Sequence, residues 1–238
     1  FIMFGSNNYL GLSTDPRVKK ASVNAIEKYG VGSGGSRISS GTMELHEQLE
    51  KDLAELKGSQ DCIVFNSGYL TNLGVISTLA DADTILINDK KNHASIIDGS
   101  ILSMANVKFY SHSDMRDLEK ILQKYQSIKK KFILTDGIFS MDGDIAKLPE
   151  IYALSQKYGA KIIIDDAHAT GVIGKNGAGT SDYFGLSGKI DYEIGTLSKA
   201  IGSAGGFLDA KSDIVSFFKH GSRQFIFSTS LPPASVGA

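Results

Sequence analysis

Four short segments carry residue types that could do chemistry together. They are Lys91-Asn92-His93-Ala94-Ser95, the run from Asp136-Gly137 through Ser140 to Asp142-Gly143, Asp165-Asp166-Ala167-His168, and Thr196-Leu197-Ser198-Lys199-Ala200. Each follows a short apolar run that reads as a buried strand. A single His is usually structural, and a single Lys is usually a solvated charge. A His, an Asp with a Ser, an Asp-x-x-His and a Ser-Lys at successive strand ends differ, because a doubly wound sheet gathers its strand ends along one rim. Asp165 ends an apolar strand directly, where a carboxylate is desolvated and needs a cationic partner. Lys199 has Ala200, Ile201, Gly202, Gly205 and Gly206 close behind it. A lysine kept from water loses its proton more easily and becomes a nucleophile or imine former.

A fifth turn, Asn66-Ser67-Gly68-Tyr69, follows the run Cys62–Phe65 and opens a helix. Backbone N–H groups there, at the positive end of the helix dipole, suit a phosphate. A phosphate turn, a ring-stacking His, a carboxylate for a protonated ring nitrogen and an imine-forming Lys together describe a pyridoxal 5'-phosphate pocket. Two motifs point elsewhere and are weaker. Gly30-Val31-Gly32-Ser33-Gly34-Gly35 matches G-x-G-x-x-G, but it follows a helix, whereas the dinucleotide fingerprint follows a strand. Ser198-Lys199 lacks the S-x-x-K spacing of the Ser-Lys acylases. Asp165, Asp166 and His168 could ligate a divalent ion, but the pyridoxal reading uses all four segments and no metal is expected.

The elements that must position these residues alternate regularly. Helical stretches are expected at 16–29, where Asp15-Pro16 is an N-cap with Pro at N1, and at 42–57, where Leu45, Leu49, Leu53 and Leu56 share a face and Gly58 closes the helix. Further helices are expected at 69–80, 94–104, 114–126 (capped by Ser113 or Asp114), 148–158 and 214–219. Strands are expected at 62–65, 84–88, 107–110, 131–135, 161–165, 192–196 and 205–208. Lys161-Ile162-Ile163-Ile164-Asp165 is apolar without alternation, as a strand buried on both faces should be. The fold class is therefore α/β, a mostly parallel central sheet with helices on both faces.

Composition narrows the partners. The chain has 238 residues, 42% apolar, with 25 Lys+Arg against 26 Asp+Glu. This balance predicts no nucleic-acid and no membrane partner. No apolar run approaches the ~18 residues of a membrane span. The single cysteine, Cys62, excludes an internal disulfide and a multi-Cys metal site. A cytoplasmic location is expected. The chain opens at Phe1 inside an apolar run, without Met, and stops just after Pro232-Pro233, where a helix should open. It reads as part of a longer protein.

The motifs, taken in order, resemble the α-oxoamine synthase family of pyridoxal-phosphate enzymes, which has the aspartate-aminotransferase fold (fold type I). The matching pieces are Ser6-Asn7-Asn8-Tyr9-Leu10-Gly11-Leu12, Gly32-Ser33-Gly34-Gly35-Ser36-Arg37, Asn92-His93-Ala94-Ser95, the Asp136 to Gly143 run, Asp165 to Gly171, Gly195 to Ala200, and Phe227-Ser228-Thr229-Ser230. The resemblance implies an N-terminal segment, 1–40, and a PLP-binding large domain, 41–238, with the family's C-terminal small domain missing. It implies that Lys199 carries the cofactor and later takes the substrate's Cα proton. Asp165 would pair with the pyridine N–H, and His168 with Ser140 would bond the phenolic oxygen. His93 would stack on the ring, while Ser67, Gly68, Tyr69 and Thr196 would hold the phosphate. Ser228 and Thr229 would reach a neighbouring subunit's phosphate, so a homodimer with shared active sites is implied. Asn7 would lie near the substrate carboxylate. The substrates implied are an amino acid and an acyl-CoA or acyl-ACP thioester. The stretches Gly32 to Arg37, Asn66 to Tyr69, Asp165 to Gly171 and Thr229-Ser230-Leu231-Pro232-Pro233-Ala234 look most like members that make 8-amino-7-oxononanoate from alanine and pimeloyl-CoA. Glycine/acetyl and serine/palmitoyl members are the alternatives.

Overall fold

The computed structural model describes residues 3–238; Phe1 and Ile2 of the opening apolar run lie outside the described residues. The apolar runs form β1 (Asp61–Phe65), β2 (Thr84–Asp89), β3 (Asn106–Tyr110), β4 (Lys130–Asp136), β5 (Lys161–Asp165), β6 (Tyr192–Thr196) and β7 (Gly206–Ala210). They make one seven-stranded sheet in the order β1-β7-β6-β5-β4-β2-β3. Neighbours from β3 across to β6 are parallel, and β7 is antiparallel to both β6 and β1. The expected mostly parallel sheet is found, with one reversed strand. The reversal follows from chain length: the stretch from Leu197 to Gly205 is shorter than the dozen or so residues a parallel crossover needs.

The helices are α1 (Pro16–Tyr29), α2 (Glu44–Lys57), α3 (Gly68–Leu79), α4 (Ala94–Leu102), α5 (Met115–Lys124), α6 (Leu148–Tyr158), α7 (Thr180–Tyr183), α8 (Ser212–Gly221), α9 (Arg223–Ile226) and α10 (Pro233–Gly237). Asp15 caps α1, accepting the Arg17 N–H at 2.8 Å. Of the two candidate caps for α5 it is Asp114 that accepts the N–H groups of Arg116 and Asp117, while Ser113 takes φ 53°. α2 starts at Glu44 and not Thr42, because the Thr42 hydroxyl is committed to Arg37. α4 stops at Leu102, short of the expected Met104, which turns left-handed at φ 60°. The four- and five-residue helices α7, α9 and α10 are too short to announce themselves by apolar periodicity.

Burial on both faces explains the continuous apolar strands. Ile63, Leu134, Ile163 and Leu208 face one layer, where Val75 and Ile76 of α3 and Val215 and Phe218 of α8 pack. Ile133, Ile162 and Ile164 face the other, against Leu118 of α5 and Ile151 of α6. Cys62, Val64 and Phe207 extend that second face under Leu53 of α2 and Val236 of α10. The N-terminal stretch packs along the C-terminal one: Ser22 donates to Ala234 O at 2.9 Å, Ser33 donates to Ser230 O at 2.8 Å, and Ser36 bridges to Thr229.

Candidate active site

The carboxyl ends of β1, β2, β4, β5 and β6 surround a cavity of about 230 Å³. Ser67, Gly68, Tyr69, His93, Asp165, His168, Thr196 and Lys199 all line it, so most of the expected site converges. A larger cavity, about 440 Å³, opens at the opposite ends of the strands around Lys161, Asp191 and Lys211. It contains neither the imidazoles nor Lys199, and the smaller cavity is the candidate site.

Lys199 Nζ lies 2.9 Å from His168 Nε2. His168 Nδ1 lies 2.6 Å from the Tyr9 hydroxyl, which donates to Asn7 Oδ1 at 3.2 Å. An amide oxygen only accepts, so the direction of the whole row is set. Tyr9 donates to Asn7, His168 Nδ1–H donates to Tyr9, and Nε2 accepts from Lys199. Burial, reinforced by Lys199 and His93, holds the His168 ring at about 4, below the ordinary imidazole range. Burial also lowers the Lys199 ammonium, against the pull of Asp165 and Asp136, so the neutral amine becomes easier to reach.

Asp165 is 5% exposed. Its Oδ2 accepts from Asn72 Nδ2 at 2.6 Å and its Oδ1 accepts the Ala167 N–H at 2.9 Å. Asn72 also donates to Ser95 Oγ at 2.9 Å, and the Ser95 hydroxyl lies 2.7 Å from His93 Nδ1. Ser95 N–H donates to that same nitrogen at 3.3 Å, which leaves the ring proton on Nε2. Asn72 Oδ1 is buried without a hydrogen-bond partner among the described residues. Asp136, in register beside Asp165, has its carboxyl pushed well up by burial and then by Asp165.

The turn before α3 is set by two glycines. A Cβ on Gly68 would come within 3.3 Å of the Thr196 side chain, and a Cβ on Gly206 would sit 2.5 Å from Gly68 N. The reversed strand β7 thus brings a bare backbone beneath the turn. Ser67 accepts the Leu70 N–H at 3.1 Å as the cap of α3. The first-turn N–H groups of Gly68 and Tyr69 have no intrahelical acceptor. The Tyr69 ring meets His93 edge-on at 6.4 Å.

Four expected residues lie outside the cavity lining. Ser140 is exposed on the loop after β4, which the Ile138–Ile145 bridge closes. Asn7 reaches the site only through Tyr9. Asn66 Nδ2 donates to Ser228 Oγ at 2.8 Å and to Thr229 O at 2.6 Å, which ties that pair down beside the turn. The metal alternative loses its geometry, since Asp166 turns away to Lys57 at 3.1 Å. Sequence reasoning missed Asn72, and it named Tyr9, Ser95, Asp136 and Ser198 within its motifs without giving any of them a role. Asn72 lies one helical turn beyond Gly68 on the same face, and Asp136 ends its strand as Asp165 does, so both carried a signal. Tyr9 lay inside a matching motif, but its contact with His168, 159 residues away, carried no signal.

The Aminotransferase class I and II family matches over residues 1–238. The 8-amino-7-oxononanoate synthase of Thermoanaerobacter pseudethanolicus is 52% identical over the whole chain, as is that of Lysinibacillus sphaericus. The chain spans 60% and 61% of the length of these two curated relatives. Among solved structures, a serine palmitoyltransferase from S. paucimobilis bearing PLP and myriocin superposes with a TM-score of 0.95 at 39% identity, over 98% of this chain and 60% of that one. The 8-amino-7-oxononanoate synthase of Francisella tularensis gives a TM-score of 0.85 at 33% identity, over 98% of this chain and 65% of that one. With its sheet order, its loaded strand rim and a family match along its full length, this chain belongs to the aminotransferase class I and II family.

Proposed function

We propose that the chain is the cofactor-binding part of a pyridoxal 5'-phosphate enzyme of the α-oxoamine synthase type. In this reading it joins L-alanine to pimeloyl-CoA, releasing CO2 and free thiol and forming 8-amino-7-oxononanoate. One observation carries the reading: Asp165 is buried, its carboxylate is bonded among the described residues only to the neutral donors Asn72 and Ala167, and it shares a cavity with Lys199. Such a carboxylate still needs a positive partner, and a pyridinium N–H supplies one. The orphan Asn72 Oδ1 and the open N–H groups at the start of α3 also fit a polar, phosphate-bearing ring.

When bound, pyridoxal phosphate supplies the sink for the electrons released at the substrate's Cα. The chain's own residues do the rest. Asp165 holds the proton on the ring nitrogen. Lys199, whose amine burial makes easier to deprotonate, takes the proton from Cα. His93 would stack against the ring and His168 would bond its phenolic oxygen; Ser140, assigned to that same oxygen by the resemblance, sits on the exposed loop after β4, outside the cavity lining. Gly68, Tyr69, Thr196 and Ser67 would grip the phosphate, and Asn7, through Tyr9, would help orient the amino-acid carboxylate. Ser228 and Thr229 are assigned to the phosphate of a second subunit, in a homodimer with shared sites. The protein's part is orientation and electrostatics.

The names of the curated relatives, 48–52% identical, support alanine and a pimeloyl thioester. A second reading, serine palmitoyltransferase, is favoured by the superposition at 0.95, and glycine C-acetyltransferase is a third. None of the helices among the described residues is long and apolar enough to cross a membrane, and a cytoplasmic site is proposed. The test is a matrix of alanine, glycine and serine against pimeloyl-, acetyl-, succinyl- and palmitoyl-CoA, with thiol release monitored. Release with alanine plus pimeloyl-CoA is expected, and release only with another pair overturns the substrate assignment. Borohydride reduction in the presence of pyridoxal phosphate should place the added mass on Lys199. Added mass elsewhere overturns the site.

A further inference from the structure

The turn that carries His93 is joined to the end of β4 by two reciprocal hydrogen bonds. Asn92 Oδ1 accepts the Asp136 N–H at 3.1 Å, and Asp136 Oδ2 accepts the His93 N–H at 2.7 Å. Asn92 donates in turn to Leu134 O at 2.9 Å and to Asn88 Oδ1 at 3.1 Å, so it is anchored in the sheet from below. Asn92 is 8% exposed and Asp136 5%, so water cannot readily stand in for either. The His93 N–H belongs to the start of α4, where no helical carbonyl is available to it.

We propose that Asn92 and Asp136 are positioning residues for His93. They fix the backbone from which the imidazole projects, and hence the height of that ring over a flat group in the cavity. Ser95 fixes the ring's rotation separately, through Nδ1. Neither Asn92 nor Asp136 is assigned contact with substrate. The inference rests on the pyridoxal-phosphate reading of the cavity. Asp136 can do this work without a full negative charge. Burial and the neighbouring Asp165 favour its neutral form, and a neutral carboxyl still offers an acceptor oxygen. Asparagine is therefore a faithful replacement at this position and alanine is not.

The test compares wild type with Asp136→Ala, Asp136→Asn and Asn92→Ala. Amide hydrogen exchange is first followed without added cofactor. Exchange at His93 N–H should speed up about ten- to a hundredfold in Asp136→Ala and stay within about threefold of wild type in Asp136→Asn. Amides of β5 act as the internal control for global unfolding. Asn92→Ala should expose the Asp136 and His93 amides together, and it serves if Asp136→Ala does not fold. Pyridoxal phosphate is then titrated by absorbance. Affinity about tenfold weaker is expected in the two alanine variants, with rescue in Asp136→Asn. Unchanged exchange at His93, failure of asparagine to rescue, or altered exchange with unaltered cofactor affinity would each overturn the proposal. If wild type takes up no pyridoxal phosphate, the reading of the cavity falls, and the exchange pattern alone still decides whether Asn92 and Asp136 hold His93.

Discussion

Replacing Lys57 by methionine tests how the rim of the sheet is supported. The Lys57 side chain is fully buried, with Nζ 3.1 Å from Asp166 Oδ2 and 3.1 Å from Glu193 Oε2, and it also donates to Ala178 O. Asp166 follows Asp165 directly, and its Oδ2 accepts the Thr180 N–H at 2.9 Å. Burial alone would depress the ammonium, but Asp166, Glu193 and Asp209 outweigh it and keep Lys57 charged. Methionine retains the stem and removes the charge, so three carboxyl groups share a dry site without a counter-ion. Breaking a buried pair this way costs about 3–5 kcal/mol. At roughly 2–4 °C per kcal/mol for a chain of this size, the melting midpoint should fall by ~6–20 °C. The pH dependence has a definite sign. Burial raises the carboxyls of Glu193 and Asp209, so the folded state resists their ionisation. Their contribution is present below the unfolded carboxylate range, about 4, and is lost as pH rises through the higher folded values. Lys57 pulls these carboxyls down, so without it they rise further and the variant loses stability more steeply as pH rises; the deficit of Lys57→Met should be large at neutral pH and shrink on acidification. Calorimetry of both proteins between about pH 5 and pH 8 reads this directly. A midpoint drop under about 2 °C at neutral pH, or a deficit that widens toward acid, would refute the reasoning.

Three further outcomes are expected. Asn72→Ala removes the 2.6 Å hydrogen bond to Asp165 Oδ2; pyridoxal phosphate should bind about ten- to a hundredfold more weakly in an absorbance titration, and wild-type affinity would sink the assignment. His168, held at about 4, should show a neutral ring by NMR throughout the weakly acidic range. Its contribution to stability is present above the unfolded imidazole value of ~6.5 and fades as pH falls toward the folded one. A His168→Gln stability profile should lack that slope, and a ring titrating in the ordinary range would contradict the geometry. Arg37→Met removes the 2.8 Å pair between Arg37 Nη1 and Glu50 Oε1, where both side chains are less than a tenth exposed, and leaves Glu50 with the longer 3.7 Å contact to Lys219. Denaturant unfolding should show a loss of about 3–5 kcal/mol, partly restored by adding Glu50→Gln.

The fold was legible wherever one physical cause dominated a segment. Ile162, Ile163 and Ile164 read as a strand because both of their faces are buried, and Asp15-Pro16 read as a helix start because capping is local. The rim residues His93, Asp165, His168 and Lys199 were legible for a topological reason, since parallel strands deliver their carboxyl ends to one edge. The direction of β7 was not read, because Gly206-Phe207-Leu208 has the same apolar character either way and only the short preceding loop decides. Nothing local marks Lys57, at a helix end, as buried; its burial depends on Asp166 and Glu193, which arrive from more than a hundred residues away. The same distance hid the contact of Tyr9 with His168.

Because β7 lies between β1 and β6, the earliest strand to be synthesised waits for the latest. Asp61–Phe65 gains its sheet neighbour among the described residues when Gly206–Ala210 has left the ribosome, and the Gly68 turn cannot come to rest on Gly206 before then. β2, β3, β4 and β5 can pair meanwhile, so the nascent chain carries a growing sheet beside one hydrophobic ribbon with idle amides. A ribosomal stall or a proteolytic nick ahead of Gly206 would leave that ribbon permanently open, a target for chaperones or for edge-to-edge aggregation.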